Sequence, residues 1–479
     1  MSTLDALVQI IANGVKDIQS KSAERGMPYP MPETPPSPEG EKLQSDLAAD
    51  AAPVIAAAWQ LIATLKHPHT YLLELGTLTY LSGSMSAAEA AYVPDVLREA
   101  GTKGLHVNEI AAVRNIDAGK LGRILRHLAS RHIFEEVVPD VFRNNRISSS
   151  MCTGKPVQDM VRSPIDRWDD TNGIAAFVST QAETQRGNAW LAEHLLDPAM
   201  GHSQESNEAP WQRAMHTKLT LFEWMERPEH ALEMRKFGIS MRASTSSDDS
   251  IVTTRGFEWA SLPSGNLVID VGGGVGSLTM SLAKAHKHLR YVVQDRHAVV
   301  QEGERLWKAT MPGFVENDIV RLQGHDFFAE QPITNADVFV LRCVLHDWPD
   351  KYASKILSRL RDAAQPTTKL VVMDAIIDYM CRDSGAVADI PGAAKPQVQE
   401  PLLPYADSAT GFMYGLDVGV MTIANCQERT LGHFVELLKG AGWKVERVCR
   451  FEPPLPQQLV CSPLAPKAVL STVQHTAHL

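Results

Sequence analysis

Residues 267–280 read LVIDVGGGVGSLTM. A short run that is apolar apart from Asp270 leads into four glycines within five positions, and a helical pattern begins at Ser277. A glycine turn at the carboxyl end of a parallel strand lets a ligand approach the backbone closely. The stretch therefore predicts the first strand of a doubly wound α/β domain, with a ligand-binding turn directly after it.

Downstream of this turn, short apolar segments alternate with helical ones. Such alternation is typical of a doubly wound sheet with helices on both faces. Residues 382–408 contain four prolines and no periodicity, which predicts a flexible insertion in this domain. Six further strands are predicted, at residues 290–294, 319–322, 338–341, 369–373, 443–448 and 458–461.

Upstream of the sheet, the sequence predicts helices. Residues 1–20 form an amphipathic helix, and residues 26–41 are too rich in proline for a helix or a strand, so the first helix stands apart from the core. Its exposed apolar stripe needs a partner, which predicts a homodimer. Short helices near 107–113 and 120–132, followed by a hairpin at 134–142, indicate a winged helix. The stripe consists of Leu4, Val8, Ile11, Val15 and Ile18.

The composition is that of a globular protein with more than one core. The chain has 479 residues, of which 44% are hydrophobic and 21% charged, and its net charge is -10 at pH 7. This acidity argues against nucleic acid as the main partner, because phosphate binding rests on clustered cations. Pro53 and Gln60 interrupt the most apolar stretch, so we expect no membrane span and a cytoplasmic protein. The six cysteines lack C-x-x-C spacing, and we expect them to be reduced.

The spacing around the glycine turn favours one class of ligand. Asp270 precedes Gly272, Gly274 and Gly276 in the pattern D-x-G-x-G-x-G, and Ser277 stands where a dinucleotide fold prefers its third glycine or an alanine. An acid so close to the turn suits a cationic amino-acid group better than a pyrophosphate. We therefore assign Asp270 and the three glycines to cofactor binding, with a dehydrogenase as the alternative.

The next two strands also end in candidate binding residues. Asp295 ends the segment VVQD, at the distance from the turn where a carboxylate accepts hydrogen bonds from ribose hydroxyls. Asp326 and Phe327, within GHDFF, bring an acid and an aromatic ring to the same edge of the sheet. We expect Asp326 to accept the amino group of an adenine and Phe327 to cover its ring.

The fourth strand runs into LRCVLHDWPD at residues 341–350. This segment brings His346, Asp347 and Trp348 to the carboxyl end of the strand, where ligands bind in such sheets. A single histidine is usually structural. At this position catalysis is favoured, because an imidazole with a pKa of about 6.5 can take a proton at neutral pH.

In this order, LVIDVGGGVG, VVQD, GHDFF, LRCVLHDWPD and QERT resemble the plant and fungal small-molecule O-methyltransferases similar to caffeic acid O-methyltransferase. The resemblance covers nearly the whole chain. It implies a C-terminal Rossmann-like domain that binds S-adenosylmethionine, and methyl transfer to a hydroxyl of a small aromatic molecule. The implied parts are a dimerisation helix at 1–25, a proline-rich linker at 26–45, a winged-helix dimerisation domain at 46–160, connecting helices that line the substrate pocket at 161–250, and the methyltransferase domain at 251–479.

The resemblance also implies the catalytic residues. His346 is the general base, and Asp374 and Glu428 are the carboxylates that flank it, although plant members usually have Glu in place of Asp374. A phenol with a pKa of about 10 is a poor nucleophile while protonated, whereas a neutral imidazole can take its proton. No compact Asp/Asn group able to hold Mg²⁺ is evident, so no metal is expected.

The remaining site residues follow from the same resemblance. Arg342 stands where plant enzymes carry a Lys that contacts the cofactor, Trp348 packs near the adenine, and Asp347 touches either substrate or cofactor. An apolar substrate pocket is predicted to include Phe237, Met241 and Met421.

Two alternatives from other classes stay open at this point. The motifs do not report the acceptor atom, so an N- or C-methyltransferase fits them too. A DNA-binding regulator would use the second helix of the winged helix, although the acidic chain disfavours it. The basic and titratable residues of that helix are Lys120, Arg123, Arg126, His127 and Arg131.

Overall fold

The N-terminal region is helical, as predicted. The structure, a computed structural model, describes residues 2–245, 255–381, 387, 389–394, 398–404, 408–451 and 455–465. A pair of long helices, the first and the third, organises this part of the chain, since they pack against each other. The first five helices are α1 (Thr3–Glu24), α2 (Pro38–Asp46), α3 (Ala48–Leu65), α4 (Pro68–Gly76) and α5 (Leu78–Ala90).

Helix α1 is fixed by its own cap and by α3. Ser2 and Asp5 form a reciprocal capping box, in which the Ser2 hydroxyl accepts the Asp5 N–H at 3.2 Å. Leu7, Ile10 and Ile18 are buried inside the chain. The prediction of a helix set apart from the core was therefore wrong, because the face that carries these three residues packs on neighbouring helices. The exposed residues of the predicted stripe are Leu4, Val8 and Val15.

Prolines interrupt less of this region than predicted. Pro38 lies in the first turn of α2, where a missing N–H costs no helical hydrogen bond, and Ser37 caps the helix. Residues 38–45 of the predicted linker are therefore helical. Helix α3 also continues through Pro53 and Gln60, the two residues that interrupt its apolar run.

Helix α3 is unusually apolar. Among the described residues it alone is long and apolar enough to cross a membrane by length and composition, with a mean hydropathy of 1.4 over 18 residues. One such helix is weak evidence for a span, because the core helices of soluble proteins pass the same test. Here α1 covers part of α3, burying Ala56 and Ala57.

A winged helix follows, as predicted. Its two short helices and hairpin surround a core that includes Leu121, Leu125 and Phe142, and the Asp117 side chain caps the second helix. The three strands form an antiparallel sheet in the order β1-β3-β2. The elements are α6 (Val93–Ala100), β1 (Leu105–His106), α7 (Val107–Ala112), α8 (Ala118–Ala129), β2 (Glu135–Val138) and β3 (Val141–Arg143).

Helices connect this domain to the main sheet. One of the two longest, α11, packs against α5, α13 and α15, so it links the two halves of the chain. The connecting helices are α9 (Arg146–Ser149), α10 (Val157–Arg162), α11 (Ile174–Asn188), α12 (Leu191–Leu195), α13 (Pro210–Ala214), α14 (Leu221–Met225) and α15 (Ala231–Thr245).

All seven predicted strands of the C-terminal domain are present and form one sheet. Two further short strands, β9 and β10, pair with each other in parallel. The strands are β4 (Leu267–Val271), β5 (Arg290–Asp295), β6 (Val320–Gly324), β7 (Val338–Arg342), β8 (Lys369–Asp374), β9 (Ile376–Ile377), β10 (Arg429–Thr430), β11 (Trp443–Cys449) and β12 (Gln457–Pro463). The helices of this domain are α16 (Ser277–Ala285), α17 (His297–Thr310), α18 (Pro312–Glu316), α19 (Asp350–Ala363), α20 (Ser408–Ala424) and α21 (Leu431–Gly440).

The strand order of the large sheet, β11-β12-β8-β7-β4-β5-β6, creates a switch point. From β4 the chain moves outward through β5 and β6 and then returns to β7 on the other side of β4. Strands β4 to β8 are parallel, whereas β12 runs antiparallel to both β8 and β11. The carboxyl ends of β4 and β7 therefore face the crevice where ligands bind in doubly wound folds.

The described parts of the predicted insertion 382–408 pack on folded structure. Ala393 is buried in the core of the sheet domain, and Leu402 is 1% exposed against α1 and α3. The Gln60 side chain donates to the Pro401 carbonyl at 2.9 Å and accepts the Leu403 N–H at 3.2 Å. Residues 382–386, 388, 395–397 and 405–407 lie outside the described residues, so the prediction of flexibility is not tested there.

Candidate active site

The glycine turn after β4 has a backbone that other residues would strain. Gly272, Gly274 and Gly276 have φ of 70°, 59° and 86°, a region that side chains disfavour. At Gly272 an added Cβ would lie 2.9 Å from Val344 Cγ2, whereas at Gly274 it would meet nothing within 4 Å. The turn is thus closely packed at its start and open at its centre, where a ligand can contact the backbone.

Asp270 lies directly beneath this turn. Its carboxylate accepts the Thr279 hydroxyl at 2.7 Å, and its Oδ1 accepts no hydrogen bond from any described residue. Burial raises the pKa of Asp270 to about 6, against the opposing effects of Thr279 and of Arg342. Asp270 is therefore mostly anionic at neutral pH and provides negative charge under a cationic ligand.

Asp295 at the end of β5 joins the same turn. Its Oδ2 accepts the Gly274 N–H at 2.8 Å, and its Oδ1 accepts the Arg296 N–H at 2.7 Å. Burial raises its pKa, and these two hydrogen bonds oppose that rise. The predicted ribose carboxylate thus also shapes the turn. Together with Asp270, residues 272–276 and residues 326–327, it forms what we call the cofactor edge.

An aromatic group closes this edge. Phe327 lies 3.5 Å from the position of a Cβ on Gly272, so its ring borders the turn. Trp348 contacts both Phe327 and Phe328 edge to face, with ring centroids 5.8 and 4.8 Å apart. Asp326 accepts the Phe328 N–H at 2.9 Å, which fixes the loop that carries these rings. The predicted adenine residues therefore lie together.

Arg342 ends strand β7, beside the turn. Its positive charge acts on two neighbouring groups, since it lowers the pKa of Asp270 and that of Cys343, in both cases against a larger effect of burial. This proximity fits the predicted role of Arg342 at the cofactor edge.

His346 lies in a single helical turn, Leu345–Asp347, just beyond β7. Its Nδ1 is 2.8 Å from Glu428 Oε1, and its Nε2 is 3.5 Å from Asp347 Oδ1. The side chain of Glu428 is 1% exposed and that of His346 is 21% exposed. A buried carboxylate therefore holds one ring nitrogen, while the other lies beside Asp347, whose side chain is 38% exposed.

The charges around His346 set its protonation. Burial alone would lower the pKa of His346, but Asp347, Glu428 and Asp374 together outweigh burial and hold it well above its usual value. The imidazole is consequently a strong proton acceptor once it is neutral. Its ability to act as a base should increase as the pH rises through this pKa.

Asp374 differs from Glu428, although both were predicted to flank the base. It is the last residue of β8 and is 2% exposed, yet neither of its oxygens accepts a hydrogen bond from a described residue. Asp374 therefore does not form a hydrogen bond with His346, although a nitrogen of His346 and an oxygen of Asp374 lie within 4.8 Å of each other. Burial raises the pKa of Asp374 to about 7, with the proton on His346 opposing the rise.

One group of possible metal ligands appears in the described part of the chain. Cys343, His346 and Asp374 each offer a donor atom, and these atoms lie within 4.8 Å of one another. Two of the three already belong to the predicted proton-transfer site. The expectation that the enzyme uses no metal stays a prediction.

The predicted substrate residues lie on two helices that share a neighbour. Phe237 and Met241 belong to α15 and Met421 to α20, and both helices pack on α11. Phe237 contacts Phe222 edge to face at 6.1 Å. Met241 and Met421 are 40% and 37% exposed, so both retain apolar surface that a ligand can cover.

One buried residue beside the base, Arg429, was not predicted from the sequence. Arg429, fully buried, donates from Nη1 to the Leu345 carbonyl and from Nη2 to the Trp348 carbonyl, both at 2.6 Å. Its Nε donates to Asp350 Oδ1 at 3.0 Å. Both residues lie in motifs that the sequence analysis had singled out: Arg429 in QERT, and Asp350 at the end of HDWPD.

Comparison with known proteins agrees with this geometry. Residues 194–389 match a family model described as an O-methyltransferase domain. An O-methyltransferase of Armillaria gallica is 41% identical to this chain, over 97% of the chain and 100% of that protein. The 4-O-methyltransferase 1 of Phanerochaete chrysosporium is 39% identical, over 94% of the chain and 96% of that protein. The chain belongs to the O-methyltransferase family.

The fold of this O-methyltransferase is also found in solved structures. OxaC in complex with SAH and oxaline superposes with a TM-score of 0.65 at 19% identity, over 96% of this chain and 100% of that chain. The predicted fold class is confirmed, with a Rossmann-like domain behind an N-terminal helical region. The enzyme is S-adenosylmethionine-dependent, which confirms the cofactor that the family resemblance implied.

Proposed function

We propose that this enzyme transfers a methyl group from S-adenosylmethionine to a hydroxyl of a small aromatic metabolite, with His346 as the general base. The observation that carries the proposal is the contact of 2.8 Å between His346 Nδ1 and the buried Glu428 carboxylate. It occurs at the carboxyl end of β7, next to the glycine turn that follows β4. The base thus lies where an acceptor would meet the cofactor.

The residues of the cofactor edge fit S-adenosylmethionine. The open backbone at Gly274 provides the close approach, and the anionic Asp270 complements a cationic ligand. Asp295 has a carboxylate for ribose hydroxyls, and Asp326 and Phe327 form an adenine pocket with Trp348. When bound, the cofactor supplies a methyl group on a sulfonium, which is open to in-line attack by an oxygen.

Proton transfer in the proposed mechanism uses the two nitrogens of His346 separately. Glu428 accepts the hydrogen bond from Nδ1, so Nε2, which lies 3.5 Å from Asp347 Oδ1, is the nitrogen that takes the proton of the acceptor hydroxyl as its oxygen attacks. The imidazolium that forms is stabilised by Glu428 and Asp347, whose charges already favour it. The remaining contribution to catalysis is the alignment of the acceptor hydroxyl by the surrounding helices.

The acceptor class rests on the pocket and on the relatives. Phe237, Met241 and Met421 offer apolar and polarizable surface to a flat ring. The relative from Phanerochaete chrysosporium is named for transfer to a 4-hydroxyl, and another relative, from Aspergillus flavus, is a sterigmatocystin 8-O-methyltransferase that is 29% identical over 72% of this chain. A phenolic hydroxyl is therefore the acceptor that we propose.

A panel of acceptors tests this proposal. Purified enzyme is incubated with methyl-labelled S-adenosylmethionine and phenols, aromatic amines and carbon acceptors, and the labelled products are identified by mass spectrometry. We expect label on a phenolic oxygen. Label confined to nitrogen or carbon would overturn the assignment of the acceptor. The cofactor is tested by calorimetry: heat with NAD, but none with S-adenosylmethionine or its demethylated product, would overturn its assignment.

We also propose that the enzyme is a homodimer joined through its N-terminal helices. The described surface of α3, α4 and α5 exposes large apolar residues that a monomer would leave in water. These include Trp59, Leu65, Leu72, Leu73 and Tyr80, each at least 61% exposed. Light scattering at micromolar concentration should give twice the chain mass of 52.6 kDa. A particle of the single-chain mass would contradict the proposal.

Two expected absences stay proposals. We propose that the winged helix does not bind DNA, because Arg126 on α8 is paired with Glu136 and Asp140 and the chain is acidic. A gel-shift titration at low salt that shows tight binding would contradict this.

We propose a cytoplasmic location without membrane attachment, which cell fractionation tests directly.

A further inference from the structure

Two chain segments that are about eighty residues apart meet at the catalytic base. One is the base segment, residues 343–350, and the other is the partner segment, residues 426–433. Besides the contact between His346 and Glu428, the Gln427 N–H donates to the His346 carbonyl at 3.3 Å. The position of Glu428 relative to His346 therefore depends on how firmly the two segments are held together.

Arg429 is the main connection between them. Its guanidinium spans the backbone on both sides of His346, since it donates to the Leu345 and Trp348 carbonyls, each at 2.6 Å. Along the chain it directly follows Glu428. One buried cation thus fixes the turn that carries the base and, through a single peptide bond, the residue that carries its carboxylate.

Asp350 completes this connection from the other segment. Its Oδ1 accepts Arg429 Nε at 3.0 Å and Gln427 Nε2 at 2.8 Å, and its Oδ2 lies 2.6 Å from His433 Nε2. Burial would raise the pKa of Asp350, but His433 and Arg429 outweigh burial and lower it. The carboxylate is therefore ionised at neutral pH and balances the charge of Arg429.

We propose that Arg429 and Asp350 act as a clamp that sets the distance between His346 Nδ1 and Glu428, so that Arg429 is a positioning residue for proton transfer. The guanidinium faces carbonyls and Asp350, so it acts through the base and its carboxylate and not on the substrate. The inference rests on the proposed role of His346. It assigns a function to Arg429 and Asp350 that the mechanism above does not contain.

The first test is Arg429→Lys, which keeps the buried positive charge. A lysine has a single nitrogen and cannot reach both carbonyls and Asp350 together. Because Arg429 is proposed to act through the contact between His346 and Glu428, its loss should cost no more than removal of that contact, about tenfold in kcat. We expect kcat to fall by up to this factor, while the Kd for S-adenosylmethionine, measured by calorimetry, stays near that of the wild type.

Arg361→Gln is the matched control. Arg361 also donates to two backbone carbonyls, those of Gly442 and Leu464, but it does so away from the base. This variant should lose some stability and keep its kcat per folded molecule. If Arg429→Lys lowers kcat no more than Arg361→Gln does, the clamp is overturned.

A double-mutant cycle with Glu428→Gln separates positioning from general stability. If Arg429 acts through the contact between His346 and Glu428, the double variant should have nearly the kcat of the worse single variant. If the two losses multiply, Arg429 acts independently and the proposal fails. In the same cycle with Arg361→Gln, the double variant should have the kcat of Glu428→Gln alone.

Asp350→Asn tests the clamp from its other member. The Asp350 side chain is 38% exposed, so Asp350→Asn should fold even if changes at Arg429 do not. We expect it to lower kcat several-fold, again without multiplying the loss of Glu428→Gln, and normal kcat would overturn the clamp. Normal kcat in both His346→Ala and Glu428→Gln would instead overturn the proposed function, and the clamp with it.

Discussion

The cofactor edge and the base end of the same crevice are built in different ways. At the cofactor edge, the Asp295 carboxylate binds the N–H of Gly274, twenty-one residues away, and Asp326 binds a backbone group two residues away. At the base end, formed by the base and partner segments, Glu428 meets His346 across 82 residues. One site is shaped by backbone close in sequence, and the other by buried side chains brought together by the fold.

This difference predicts that variants of the two ends change different quantities, cofactor affinity at one end and rate at the other. Changes at the cofactor edge should weaken cofactor binding and leave the rate at saturation nearly unchanged. Changes at the base end should lower the rate and leave cofactor binding nearly unchanged.

The largest effect is expected from His346→Ala. Loss of a general base typically costs ~10²–10⁴-fold, so kcat should fall by at least ~10²-fold. The Kd for S-adenosylmethionine, measured by calorimetry, should stay close to that of the wild type because the imidazole does not belong to the cofactor edge. Near-normal turnover at neutral pH would exclude His346 as the base.

Glu428→Gln should have a smaller effect and also change the pH profile. A lost charge-assisted hydrogen bond of about 1.5 kcal/mol corresponds to about tenfold in kcat. Glu428 raises the pKa of His346, so its removal should lower that pKa and move the acidic limb of the profile of kcat/KM to lower pH. An unchanged or upward shift would contradict the assigned contact.

Asp295→Asn tests the other side of the comparison. Loss of the charged acceptor should weaken binding of S-adenosylmethionine by about tenfold, with kcat at saturating cofactor nearly unchanged. Asp318→Asn, at an exposed carboxylate just before β6, is the matched control and should bind normally. A large loss of kcat in Asp295→Asn would show that the two ends do not act separately.

Asp374→Asn should change stability more than rate. Because burial raises the pKa of Asp374 to about 7, the folded protein loses stability as the pH rises from about 4 through 7 and this group ionises. Asparagine cannot ionise, so the variant should gain unfolding free energy relative to wild type between pH 5 and pH 8, by at most on the order of 4 kcal/mol. Thermal denaturation at both pH values checks this, and a constant difference would contradict it.

The same comparison explains what the sequence revealed. The seven strands and the glycine turn follow from apolar periodicity and local spacing, and the structure confirms all of them. The contact between His346 and Glu428 was reached only through resemblance to a family, because no local pattern links residues 82 positions apart. Arg429 was not identified, since a buried cation that binds backbone carbonyls has no signature in a single sequence.

Errors at the N-terminus have a related cause. Proline suggested a break at residue 38, but its position in the first turn of α2 is compatible with a helix. The face of α1 that is buried became evident only when α3 was placed beside it.

The contact between Asp374 and His346 could not be predicted for a different reason. The sequence shows the length of the Asp374 side chain but not the distance between the two residues.

The dependence of rate on acceptor acidity tests the role of His346 most directly. Wild type and His346→Ala are compared at fixed pH on phenols related to the best acceptor, with pKa values from about 7 to about 10. We predict that the deficit of the variant shrinks as the phenol becomes more acidic, because solvent then supplies the phenolate that the imidazole otherwise generates. A deficit of the same size across the whole series would contradict it.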